Sequence, residues 1–166
     1  MTLLGTTQTT SMVILALVSL LYQLPDAAAR GGISHVDRAS IRPIEELPPH
    51  VRRAVERWKS VCGFPLTAKR SFVHYLGDMS LGYQFIALHF DELSCDNRAA
   101  ICNNRGCLHQ VYVSMGGTYR VVFTEYVEDL TLRFADHTPA LEIECTALDA
   151  QCPRVLRWNG RRFEGQ

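Results

Sequence analysis

Two groups of side chains in this sequence have the types and spacing that chemistry needs. The first is six cysteines, Cys62, Cys95, Cys102, Cys107, Cys145 and Cys152. The second is the run His89-Phe90-Asp91-Glu92, where a histidine and a carboxylate stand two residues apart. On an extended strand that spacing puts both on one face, where the carboxylate could orient the imidazole as a base or the two could share a metal ion. The competing reading is a strand-end histidine beside a solvated acidic loop, and it is the one favoured here. No metal ligand, cofactor or catalytic residue is therefore assigned.

The cysteines admit three chemistries. Zinc sites use close pairs such as C-x-x-C, and the shortest separations here are five and seven residues. A nucleophilic thiol needs an unpaired cysteine beside a base, and the count is even. Disulfides remain. Six cysteines can pair in fifteen ways, and loop geometry ranks them. Cys145 and Cys152 flank a short loop ahead of Pro153 and are expected to pair. Cys95, Cys102 and Cys107 share a loop rich in Asn, Asp and Gly, so two of them should pair and the third should reach Cys62.

Disulfides require an oxidising compartment, and the N-terminus supplies an address. Met12 to Leu24 is nearly all apolar and ends near Ala27-Ala28-Ala29. The run is shorter than the roughly twenty residues that span a bilayer and suits the apolar region of a secretory signal, with cleavage expected between Ala29 and Arg30. The segment before Ser11 lacks Lys and Arg, which leaves an uncleaved anchor as the alternative. The organisation read from the chain is a signal peptide over 1–29, a flexible leader over 30–47 and one domain over 48–166. Location is expected to be periplasmic or secreted, with no membrane span after cleavage.

Charge excludes one class of partner. The sequence holds 17 basic and 17 acidic residues, and Asp26 is the only charged side chain in the expected signal. A near-neutral domain does not resemble a general nucleic-acid binder. All of the basic residues except Lys59 and Lys69 are Arg. Arg154, Arg157, Arg161 and Arg162 cluster near the C-terminus around Trp158, and these five residues are the candidate contact for an envelope protein or an anionic envelope component. Tyr119 and Tyr126 could extend that surface.

The elements that must position these residues are legible as two periodicities. Pro48-Pro49 opens a helix, and Val51, Ala54, Val55, Trp58, Val61 and Cys62 form one apolar stripe that ends at Gly63 and Pro65. Beyond Ser71 the period becomes two. Ser71–Leu76, Tyr83–Phe90, Val111–Met115, Tyr119–Phe123, Leu130–Phe134 and Leu141–Cys145 all alternate, and Val155–Trp158 with Arg161–Phe163 closes the chain. Gly116-Gly117 and Asn159-Gly160 mark hairpins, the latter as a type I′ turn. The expected fold is α+β: one N-terminal helix packed on a meandering antiparallel β-sheet, stabilised by disulfides.

The series Gly77-Asp78, Cys95, Cys102-x4-Cys107, Tyr112-Val113, Gly116-Gly117-x-Tyr119-Arg120-x-Val122-Phe123, Cys145, Cys152 and Arg157-Trp158-Asn159-Gly160-Arg161-Arg162-Phe163 resembles a group of uncharacterised secreted bacterial proteins that carry an FG-GAP-like calcium loop. The likeness covers roughly Val51 to Phe163. Here that loop is degenerate: only Asp78 matches, with Ser80 and Gly82 where further ligands would stand, so no calcium role carries over. The resemblance implies export and disulfides but names no reaction. The function expected is a non-enzymatic binding or interaction module of the cell envelope. The alternatives are a small enzyme using a thiol or the His89–Asp91 pair, and a structural envelope accessory protein.

Overall fold

The computed structural model describes residues 43–78, 82–147 and 152–165. The expected signal, most of the leader and the centre of the degenerate calcium-type loop lie outside them.

Pro49 occupies the first turn of helix α1 (Pro49–Glu56), where its missing N–H leaves no bond unmade. Val51 and Val55 project into the core and are fully buried. The helix does not run on to Cys62 as one piece. The Trp58 N–H donates to the Val55 carbonyl at 2.9 Å, a tight three-residue closure, and helicity resumes as α2 (Lys59–Cys62). The break shifts the stripe: Cys62 still faces inward, while Val61 turns outward and is 39% exposed. A further short helix, α3 (Arg98–Ile101), lies inside the cysteine-rich loop.

The strands form two antiparallel sheets where the alternation had suggested one. The first contains β1 (Val73–Asp78), β2 (Tyr83–His89), β3 (Cys102–Asn103), β4 (Gly106–Met115) and β5 (Thr118–Val127), with β4 hydrogen-bonded to β2, β3 and β5. The second runs in the order β6 (Asp129–Ala135), β7 (Thr138–Glu144), β8 (Arg154–Trp158) and β9 (Phe163–Gly165). Glu128 is the hand-over. Its N–H donates to the Glu144 carbonyl at 3.0 Å, so the chain leaves β5 and enters the second sheet within a residue. Alternation reports a strand's faces but not its partner, which is why one sheet and two look alike in sequence.

Turn chemistry follows the glycines in the β4–β5 hairpin and departs from the expected type I′ turn in the β8–β9 hairpin. Gly116 and Gly117 both take positive φ between β4 and β5, as the Gly-Gly pair predicts. The β6–β7 turn is made by Asp136 and His137 at φ 51° and 63°, and Thr138 and Pro139 already belong to β7. The β8–β9 hairpin is not a two-residue type I′ turn. It spans residues 159–162, closed by the Asn159 carboxamide oxygen, which accepts from the N–H groups of Arg161 and Arg162 at 2.9 Å each.

Two apolar clusters occupy opposite faces of the first sheet. Val51, Val55, Phe72, Ile86, Leu88, Phe90, Ile101 and Tyr112 join the helices to one face. Phe85, Ala87, Val111, Val113 and Phe123 meet Leu130, Leu141, Ile143, Trp158 and Phe163 of the second sheet on the other. All six cysteines pair as Cys62–Cys95, Cys102–Cys107 and Cys145–Cys152. The first pair ties α2 to the segment that follows β2, and no cysteine is left as a free thiol.

The loops these bridges close differ in length, 33 residues for Cys62–Cys95 and 5 for Cys102–Cys107. In the chain-entropy relation their removal should cost about 4 and about 2 kcal/mol respectively. Urea melts of the two Cys→Ser double variants should therefore show the larger loss for Cys62→Ser/Cys95→Ser, and the reverse order would contradict the entropic account. Gly106 is a second sensitive point. It sits at φ +121°, and an added Cβ would lie 2.1 Å from the Val127 carbonyl oxygen. Gly106→Ala should destabilise the domain by at least about 3 kcal/mol in the same melts, because strain and a backbone clash act together.

Candidate functional site

His89 closes β2, and the antiparallel register sets it directly opposite His109 of β4. Their rings meet edge to face with centroids 5.0 Å apart. On the other side β1 pairs His74 with Ala87, so His74 falls diagonally beside His89 on the same face, with ring centroids 4.7 Å apart. Period two aligns these rings with Phe85, Ala87, Val111 and Val113. The histidines thus extend the row that fills the inter-sheet core.

Asp91 reaches the same place by another route. The alternation predicted it on the strand face of His89, but β2 ends at His89, and Phe90–Glu92 forms a 3₁₀ turn. The turn swings the Asp91 carboxylate toward both histidines. One donor atom each from His89, Asp91 and His109 lie within 4.8 Å of one another. His109 Nε2 stands 3.9 Å from Asp91 Oδ1, beyond hydrogen-bonding distance.

Burial dominates the electrostatics. His109 is 1% exposed and His89 8%. Desolvation drives the His89 pKa down to about 4, reinforced by His109 and His74 and opposed by Asp91 and Asp129. Desolvation likewise holds His109 at about 4, against the pull of Asp129. Both imidazoles are neutral at physiological pH. Both ring nitrogens of His109 and Oδ1 of Asp91 are buried with no hydrogen-bond partner. Leaving such groups unpaired costs about 1–3 kcal/mol each, a cost that a bound partner would offset. Glu92 differs, because Lys69 Nζ lies 2.9 Å from its Oε2 and that hydrogen bond holds its carboxyl below the usual range.

A pocket of about 220 Å³ opens over this set. Ser71, His74, His89, Asp91 and Glu92 line one side, and Asp129, Leu130, Thr131 and Leu132 line the other. His109 lies behind His89 and Asp91. The donor set suits a transition-metal ion or a small polar ligand with complementary hydrogen-bonding groups. His89 and Asp91 were visible as a pair in the sequence; His109 and His74 were not. The signal for His109 was present, since His109-x-Val111-x-Val113 continues the alternation of β4 two residues back. Pairing it with His89 required the register, which alternation does not carry.

Three arginines of the basic C-terminal cluster are ion-paired within the protein. Arg154 pairs with Glu125, Arg157 with Asp136 at 3.1 Å, and Arg162 with Glu164 at 3.0 Å. The Arg161 carbonyl accepts from Arg120 at 2.7 Å, and the Arg161 side chain is exposed. Trp158 leaves the candidate surface altogether. It is 7% exposed, packed on Phe85 and Phe163 at 5.1 and 5.2 Å, because its position in β8 faces the core. Tyr119 and Tyr126 lie half-buried against the first core cluster.

The neutral histidines generate a pH dependence. In the unfolded chain they take protons near pH 6.5, whereas the folded domain resists until about 4. Between those values the unfolded state binds more protons. Stability is therefore complete above about pH 6.5 and falls as pH drops toward 4, by up to about 3 kcal/mol for each histidine. Urea midpoints in the presence of chelator should fall between pH 7 and pH 4.5, and the fall should be shallower in His89→Gln. A midpoint independent of pH across that window would contradict the assignment.

No protein-family model, curated protein or solved structure matches this chain.

Proposed function

We propose that this chain is an exported, disulfide-stapled binding module that takes its ligand in the histidine pocket and performs no reaction on it. The observation that carries this reading is the convergence of the buried His89 and His109 with the half-buried Asp91, partly unpartnered, at an open pocket between two sheets. Buried polar groups are retained in native folds where a partner completes them. Three disulfides fit an oxidising compartment, and no helix among the described residues is long and apolar enough to cross a membrane. The partner then belongs to the envelope or the extracellular medium.

The enzymatic alternative is weaker on chemical grounds. All six cysteines are oxidised, which removes the thiol version. A histidine with a pKa of about 4 is a poor general base near neutrality, where efficient bases titrate close to the working pH. The external basic cluster offers less than the pocket, because the guanidinium groups of Arg154, Arg157 and Arg162 already hold acidic partners.

Melting curves of the mature protein with an envelope extract, split by ultrafiltration into small-molecule and macromolecular fractions, test the reading. One fraction should raise the midpoint by several degrees, as linkage requires of a ligand that binds only the folded state. Asp91→Asn should lose most of that rise. No shift with either fraction, or an equal shift in the variant, contradicts the reading. A turnover abolished by His89→Ala would favour the enzyme instead.

A further inference from the structure

We propose that the ligand of the histidine pocket is a single divalent transition-metal ion of the zinc type, held by His89, His109 and Asp91. This rests on the reading of that pocket as the binding site and names its ligand. Two imidazoles and one carboxylate are the donor set that zinc and its first-row neighbours accept, whereas calcium and magnesium demand cages of oxygen. Zinc binds such donors at about 2.0–2.2 Å, which places the donors of a tetrahedron roughly 3.4 Å apart. The three donor atoms already lie within 4.8 Å. Side-chain rotation closes the remainder, most readily at Asp91, whose side chain is 36% exposed on its short turn.

The surroundings fit an ion better than a neutral organic ligand. The two histidines stand on hydrogen-bonded strands in direct register, so strand pairing sets their spacing. Unpartnered nitrogens on a 1% exposed ring need something small enough to pass between packed side chains. A metal ion that exchanges its waters for these donors as it enters meets that requirement. With neutral imidazoles the ligands supply a single negative charge, and Asp129 on the rim of the pocket supplies another nearby. Three protein ligands leave a coordination position facing the pocket, the arrangement that allows exchange with solvent or with a second ligand. The site is therefore one for reversible metal capture, in contrast to the closed four-ligand sites that staple folds.

Isothermal titration of tag-free, chelator-treated protein with zinc tests this, alongside the visible absorption of the cobalt(II) form. The expected result is saturable binding of one ion per chain, with cobalt bands diagnostic of nitrogen and oxygen ligands in a four- or five-coordinate site. Asp91→Asn and His89→Gln should each weaken binding by more than about tenfold, while His50→Gln, at an exposed position on α1, should bind as wild type. Near-ultraviolet circular dichroism of each variant separates lost ligands from lost folding, and the wild-type cobalt spectrum stands whichever variant folds. No zinc binding by the wild type, or binding indifferent to both pocket variants, overturns the metal. If zinc fails while the small-molecule extract still shifts the melt through Asp91, the pocket reading survives and the metal does not. If both fail, both fall.

Discussion

Both faces of β4 are covered, and that constraint organises the molecule. Tyr112 and Leu108 point toward the helices, while Val111 and Val113 point toward the second sheet. A strand buried on both sides has no solvated face on which to put a polar residue without cost. His109 shares the face of Val111, so the register that builds the inter-sheet core also drives an imidazole into it. A slip of one residue would exchange the two faces and dismantle both clusters at once. The buried histidine is thus tied to the packing of the whole domain and cannot relax to the surface.

The partners of His109 are held with comparable firmness. The turn carrying Asp91 is braced on both sides: the Lys69 N–H donates to the Glu92 carbonyl at 3.0 Å, and the Ser94 N–H to the Thr67 carbonyl at 2.8 Å. Leu93 is buried, and four residues past Asp91 the Cys62–Cys95 bridge fixes the chain to α2. The disulfide that closes the longest loop therefore also holds the segment that carries the carboxylate. Scaffold and site share the same covalent anchor, which is how a small domain keeps unfilled polar groups in place against their tendency to find partners or water.

Much of the architecture was legible in the residues. Alternation located most of the strands, Gly116-Gly117 located a hairpin, and the spacing of the cysteines gave Cys145–Cys152 but left open which of Cys95, Cys102 and Cys107 reaches Cys62. What alternation could not carry was pairing. It missed the division into two sheets at Glu128, and it placed Asp91 on the strand of His89 when a 3₁₀ turn delivers it. The apolar stripe of the helix was right at Val51, Val55 and Cys62 and wrong at Val61, because the break at Trp58 leaves no mark in composition. Trp158 looked like a surface anchor among arginines and is a core residue, since Arg is as suited to pairing with Glu125 and Asp136 inside the protein as with an external partner. The site was half visible for the same reason: His89 and Asp91 are close in sequence, and His109 meets them only through the register.

The central claim is that His89, His109 and Asp91 converge in order to hold an ion. Anomalous diffraction at the zinc edge, from crystals of the protein equilibrated with zinc, addresses it directly. The account predicts a peak at bonding distance from one nitrogen of each histidine and one oxygen of Asp91. Saturating zinc with no peak there, or peaks confined to exposed histidines such as His50 and His137, would contradict it.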